Sequence, residues 1–463
     1  MNEMRAIVRR DRVALPLAAP LLAIAAVLLG GASAAGWLAN LVLDLIAIGL
    51  LLHAVWSRPT RALAPAERWL IAIGAFYVLW GLVQLVPLPP ALWRLLPGRA
   101  PIAGAFELLH APLPVLPISL DPARTRAALL PLILAAAALV TVRRLDDRQL
   151  ATLAWTFPLL GAASILLGMA QLAGGEHSPL YLYDITNRGQ PVGFFANSNH
   201  LATLIVLGIP FLAAIARRRL RGQIRAQLPQ AIALAALALF LVLAGVVVGS
   251  VAGIALLVPA LLGSVLIFLG RGTSRWSFLL MVGALAALAA FVGLASHSQM
   301  LNGFGMGSVG SDPTGRTTIY ATSWQALQAY FPFGSGLGTF AELYRWFEDP
   351  TRVTSVYVNH AHNDYLEFVL ETGAVGIVLI LALLAWWARR TTAVWLGRDE
   401  SPYAKAASVA VAIVLAHSVV DYPLRTGAIL TCFVMCLAIL ARPAEAPSAA
   451  SPTRQKARHL SVV

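Results

Sequence analysis

Apolar runs of about twenty residues recur along this chain from residue 13 almost to residue 441. At 1.5 Å of helical rise per residue, each is long enough to cross a hydrocarbon layer about 30 Å thick. Lipid offers no partner to a backbone N–H or C=O, so continuous apolar segments of this length cross it as helices, which satisfy those groups internally. The composition agrees, with 59% hydrophobic and only 12% charged residues against roughly a quarter charged in soluble domains. The fold class expected is therefore all-α: a polytopic transmembrane bundle of about 12 helices forming one membrane domain over residues 1–441. The first run ends in LLGGASAAG, which is similar to a signal-peptide cleavage region. Its length and the many spans that follow favour a retained first helix.

The expected spans are 13–33, 36–55, 68–88, 125–142, 150–173, 199–216, 229–247, 251–270, 277–296, 366–388, 404–420 and 424–441. With the N-terminus in the cytoplasm, most of the 34 Lys and Arg residues fall on the inside, as in the run Arg217, Arg218, Arg219, Arg221, Arg225. The positive-inside rule demands this asymmetry, and a flipped or odd-numbered topology loses it. The net charge of +13 thus reflects topology, and the dispersed basic residues exclude a nucleic-acid interface. Cys432 and Cys436 share one face of the last span with no metal partners nearby, which fits packing. Asp44 is a lone carboxylate within the second span, expected to find a partner in the bundle or to be protonated.

Three outside loops remain as carriers of function: 89–124, 174–198 and 297–365. The last is far longer than ordinary connections and contains apolar and aromatic stretches such as WQALQAYFPFG, so it should hold short helices against the membrane surface. The tail 442–463, rich in Ala, Ser and Pro, reads as a disordered cytoplasmic end.

The densest polar cluster is NHAHNDYLEFVLETG, with His360, His362, Asn363, Asp364, Glu367 and Glu371 at the junction of the long loop and the tenth span. Glu367 and Glu371, four apart, share a helix face. The helix dipole would explain Glu367, whereas Glu371 lies deeper, where a charge needs a partner or water. The His-x-His spacing with Asp364 admits a metal site, but no second cluster in the outside loops supplies partners. An imidazole serving as general base is the competing reading. Isolated outside arginines, above all Arg188 and Arg316, suit bidentate recognition of a diphosphate. Asn197, Asn199 and His200 open the sixth span and can cap it or line a cavity. His417, Asp421 and Arg425 lie at the turn between the last two spans, where a local Asp421 to Arg425 ion pair is expected.

These residues resemble the O-antigen ligase and polymerase family of bacterial polysaccharide assembly, in its ligase-annotated branch. The likeness rests on His362-Asn363-x-x-Leu366 followed by Glu371-x-Gly373-x-x-Gly376. It also rests on Arg316 with Trp324 and PFGSGLGTF, on Arg188-x-x-x-x-Gly193 leading to Asn197-Ser-Asn199, and on LVQLVPLPPALW, PISLDPARTR and HSVVDYPLRTG. The resemblance implies an enzyme of the bacterial inner membrane with its active site, and the long loop, on the periplasmic side. It implies inverting glycosyl transfer from an undecaprenyl-diphosphate-linked glycan to a hydroxyl on lipid A-core, on another glycan or on a protein, with membrane lipids around it and neither metal nor cofactor. His362 matches the family's catalytic histidine, and Arg188 and Arg316 match its diphosphate-binding arginines. His360 is an extra histidine that the motif does not demand, and the proline often found between the family's asparagines is absent from Asn197-Ser198-Asn199. A polymerase would use the same residues with a glycan acceptor. A transporter of lipid-linked sugars predicts internal repeats, and the two halves of the chain show no self-similarity.

Overall fold

The structure is a computed structural model describing residues 17–33, 36–57, 61–220, 224–270, 283, 315–353, 357–397 and 401–443. Most of the expected span 277–296, the loop stretch 297–314 and the tail from 444 lie outside the described residues. Within them the chain is helical with no strand; two segments touch through a single bridge between Leu88 and Leu116. Eight helices are long and apolar enough to cross a membrane: Trp37–Trp56, Pro65–Val83, Pro122–Arg143, Asp147–Ala173, Ser198–Leu220, Leu228–Val247, Val251–Leu269 and Ala374–Leu396. They make this a helical membrane protein. Leu17–Leu29, Pro402–His417 and Gly427–Ala441 are apolar but shorter.

Local chemistry accounts for where the helices begin. Asp146 accepts from the N–H groups of Arg148 and Gln149 while Gln149 reaches back to the Asp146 N–H, a capping box that starts the fourth of these helices. Asp121 caps Pro122–Leu129, and Thr426 caps Gly427–Ala441. Ser198–Leu220 is the hub, buried along nearly its whole length between Asp147–Ala173, Val251–Leu269, Leu228–Val247 and Pro402–His417. Small residues permit that close packing. A Cβ on Gly253 would lie 2.6 Å from Ala202 Cβ, and one on Gly208 would lie 3.0 Å from Pro158 Cα. Cys432 and Cys436 are free and buried in this core. Among the described residues Asp44 makes no hydrogen bond or ion pair, and it is half-buried.

Basic side chains tie off one end of the bundle. Arg143 donates to Arg61 O at 2.6 Å, Arg442 to Leu145 O at 2.7 Å, Arg390 to Leu440 O at 3.0 Å and Arg217 to Gly270 O at 3.0 Å. Ser198–Leu220 runs from the polar end of the molecule to this basic one.

The opposite end carries a second, smaller core. Arg316–Tyr330, Phe340–Phe347 and Asp364–Thr372 pack there around Ile319, Ala326, Phe340, Leu343, Tyr344 and Leu370. The described part of the long loop thus contains short helices, as expected. The expected span 366–388 is corrected, because the chain breaks it at Gly373 into Asp364–Thr372 and Ala374–Leu396. Gly373 has φ +66°, and a Cβ on it would lie 2.0 Å from Pro332 O. The break lets the 332–336 strip pair with the helix end: Ser335 N–H donates to Leu370 O and Gly336 N–H to Glu371 O, while Ala374 N–H donates to Pro332 O. Gln84 and Trp80 side chains donate to the freed Glu371 and Thr372 carbonyls at 2.8 and 3.0 Å.

Candidate active site

The polar end gathers residues from four separate stretches. Asn363 accepts from Leu366 N–H and so caps Asp364–Thr372, which fixes where the preceding histidines emerge. The Asp364 N–H donates across to Ser418 O at 2.9 Å, pinning this loop to the turn between the last two helices. His362 sits in the left-handed region at φ +51°, unusual for a residue with a side chain. The Tyr320 hydroxyl holds its carbonyl at 2.9 Å.

His362 Nδ1 lies 3.5 Å from Asp421 Oδ1, at ion-pair distance. Asp421 also accepts from Tyr422 N–H at 2.8 Å and from the Asn199 amide at 2.5 Å. Burial opposes ionisation of Asp421, but His362, His200 and Arg316 outweigh it and hold its pKa well below the usual carboxylate range. An ionised Asp421 favours the tautomer with the proton on Nδ1, leaving the Nε2 lone pair of His362 free for a substrate. Asn199 thus has its amide in the site, and Asn197 accepts from Asn199 N–H at 2.8 Å.

His360 faces a different partner. Its Nδ1 lies 2.9 Å from Glu367 Oε1, while Glu367 Oε2 accepts from Ala361 N–H at 2.8 Å. The two histidines are therefore not equivalent, since His360 is held by a buried carboxylate and is less exposed than His362.

Arg425 corrects the expected local pair with Asp421. Its guanidinium is 3.6 Å from Asp364, 3.4 Å from Glu367 and 3.1 Å from Glu371. One cation among three buried carboxylates cannot neutralise all of them. Burial lifts Asp364 to about 7 and Glu371, with the Glu367 charge beside it, also to about 7. Glu367 is equally buried, yet Arg425 and His360 hold it down to about 2. The cluster therefore carries protons near neutral pH on the outer carboxylates and keeps Glu367 ionised against His360.

Arg316 opens its helix, half-exposed, and among the described residues it makes no hydrogen bond or ion pair. Its charge reaches Asp421 and Tyr320. Arg188 is placed otherwise: it is exposed, donates to Glu176 O at 3.2 Å and lies over the Tyr181 ring at 5.6 Å. No described contact joins it to His362 or Arg316, although its loop ends in Asn197 and Asn199. Among the described residues no group of three or more His, Cys, Asp or Glu side chains has the geometry to hold a metal ion. Sequence reasoning missed Tyr320 and Tyr422. The four-residue spacing of Arg316 and Tyr320 was a signal that both belong to one helix face.

Residues 235–381 match the family described as O-antigen ligase. Over these residues the chain is similar to the O-antigen ligase family. That match bears out the resemblance and includes Arg316, His360, His362, Asn363, Glu367 and Glu371, whereas Arg188, Asn197, Asn199, Asp421 and Arg425 lie outside the matched segment. The match supports glycosyl transfer of the ligase or polymerase type, on lipid-linked glycans and their acceptors in general. No curated protein matches the chain significantly.

Proposed function

We propose that this protein transfers a glycan from undecaprenyl diphosphate to a hydroxyl of lipid A-core, with inversion, at the periplasmic face of the inner membrane. The observation that carries the reading is His362, backed by the ionised Asp421 and Asn199, on a surface that Arg316 makes positive. His362 Nε2 takes the proton of the acceptor hydroxyl as its oxygen bonds to the anomeric carbon. The bond from that carbon to the diphosphate oxygen breaks on the opposite face, and the diphosphate leaves with the electron pair. Arg316 and Arg188 neutralise the charge growing on it, work that a divalent cation would do elsewhere. The basic end of the bundle, opposite the site, supports placing the site outside. On this reading residues 1–441 are one catalytic membrane domain and 442–463 a cytoplasmic tail.

The test is transfer in reconstituted membranes containing undecaprenyl-diphosphate glycan, with lipid A-core or further donor as the acceptor. Product on lipid A-core supports the ligase; glycan lengthening without it identifies a polymerase, and a folded preparation inactive with both acceptors defeats the reading. In the same assay, Arg316→Ala should lose roughly 10²- to 10³-fold in transfer, the scale for removing one charge-stabilising donor. Arg316→Lys should recover only part of that, because an ammonium lacks the fork. Arg188→Ala should raise the donor KM, and full activity in both alanine variants would remove the arginines from the mechanism. Transfer should be unchanged by EDTA; a loss restored by a divalent cation would replace the arginine account with a metal.

A further inference from the structure

Tyr422 touches more of the polar site than any residue so far assigned a task there, although it is only 7% exposed. Its ring packs against three imidazoles: His360 at 4.4 Å between centroids, His362 edge-on at 4.9 Å and His200 edge-on at 5.2 Å. Its hydroxyl lies toward the side chains of Asn197 and Asn359, which interact with it. Asn359 precedes the histidines, and Asn197 ends the loop that carries Arg188. Its backbone N–H holds Asp421. His362 therefore has its carbonyl fixed by Tyr320, its Nδ1 facing Asp421 and one ring edge against Tyr422.

We infer that Tyr422 is a positioning residue with two separable roles: its ring sets the orientation of His362, and its hydroxyl ties the Arg188 loop to the histidine loop. The inference rests on His362 being the base. The geometry favours it because a 3.5 Å approach to Asp421 is too loose to fix the imidazole alone. An edge-on aromatic contact restricts the ring rotation that the long pair leaves free. The hydroxyl lies between two segments far apart in sequence, so removing it should loosen the donor side without removing the wall behind the base. Burial and the Asp421 charge both push the phenol pKa up, so it remains a hydrogen-bond donor throughout the working pH range.

The experiment compares Tyr422→Phe and Tyr422→Leu with His362→Ala in proteoliposomes supplied with undecaprenyl-diphosphate glycan and lipid A-core, alongside thermal melts of each variant. Tyr422→Phe should raise the donor KM about 2- to 10-fold, the scale of one neutral hydrogen bond, with a smaller fall in kcat. Tyr422→Leu should in addition lower kcat by about tenfold or more, and phenylalanine should rescue most of that kcat loss. An unchanged kcat in folded Tyr422→Leu overturns the inference, as does a parallel fall of kcat and melting temperature in both variants without a change in KM. If Tyr422→Leu does not fold, Tyr422→Phe decides alone, and an unchanged donor KM overturns the role of the hydroxyl and with it the inference. Full activity in His362→Ala overturns the proposed function itself, whereas inactive His362→Ala beside unaffected Tyr422 variants overturns only the present inference.

Discussion

Replacing His362 with alanine is expected to slow transfer by about 10²- to 10⁴-fold, the usual contribution of a positioned general base. His360 and Asp421 cannot substitute, because His360 is committed to Glu367 at 2.9 Å and Asp421 lies behind His362. Glycine at the same position makes the prediction sharper. The backbone there has φ +51°, which glycine adopts freely and other residues adopt at a cost of about 1–2 kcal/mol. His362→Gly should therefore be as inactive as His362→Ala while melting at or above the temperature of the alanine variant. Added imidazole should restore part of the glycine variant's rate by occupying the vacated place. The measurement is glycan transfer in reconstituted membranes together with a thermal melt in detergent. A fully active His362→Ala would sink the base assignment, and a glycine variant less stable than alanine would sink the backbone argument.

The other large effect is on stability. Arg425→Met should destabilise the protein by about 3–5 kcal/mol, because it leaves Asp364, Glu367 and Glu371 buried beside one another with no guanidinium. Lysine should not repair it, since one ammonium cannot meet three carboxylates at once. Removing one repelling charge should help, so the pair Arg425→Met with Glu371→Gln should recover part of the loss. The pH dependence has a definite sign. Glu367, held to about 2, stabilises the native fold above its unfolded value near 4.5, and this contribution fades as pH falls toward 2. Glu371 and Asp364, lifted to about 7, hold protons that the unfolded chain has released, so they cost stability as pH rises from about 4 to 7. In the native protein the region should be most stable on the acidic side of neutrality. In Arg425→Met, the deficit should shrink as pH is lowered and the three carboxylates protonate. A deficit that is independent of pH would mean that Arg425 matters for packing alone.

The long spans were legible because their cue is local. Leu228–Val247 and Val251–Leu269 need only an apolar run, and both fall within one residue of their expected bounds. The 366–388 run failed for a reason that lies elsewhere in the chain. Gly373 breaks it because Pro332 O occupies the space a side chain would need, and no window around residue 373 contains that fact. The site divides the same way. His360, His362, Asn363, Glu367 and Glu371 stood out as polarity at a membrane junction. Arg425 stood out too, but spacing alone assigned it to Asp421 four residues away, whereas the fold turns it toward a helix more than fifty residues upstream. Tyr422 carried no signal of its own, since a tyrosine at an interface is ordinary until its neighbours are known, and Tyr320 only its four-residue spacing from Arg316.

The helices Pro402–His417 and Gly427–Ala441 contain 16 and 15 residues, which is about 24 and 22 Å of rise. A bilayer core is about 30 Å thick. On the proposed topology, with their basic ends at one surface, the turn joining them would stop short of the other and leave Asp421, Tyr422 and Arg425 in a funnel below the plane of the headgroups. On that reading, acyl-chain length would become a determinant of catalysis. Hydrophobic mismatch would deepen the funnel in a thicker membrane and shallow it in a thinner one. In the proposed reaction, a bulky, water-soluble glycan chain would accordingly bend down to meet its lipid-borne partner, and the membrane's own thickness would set how far.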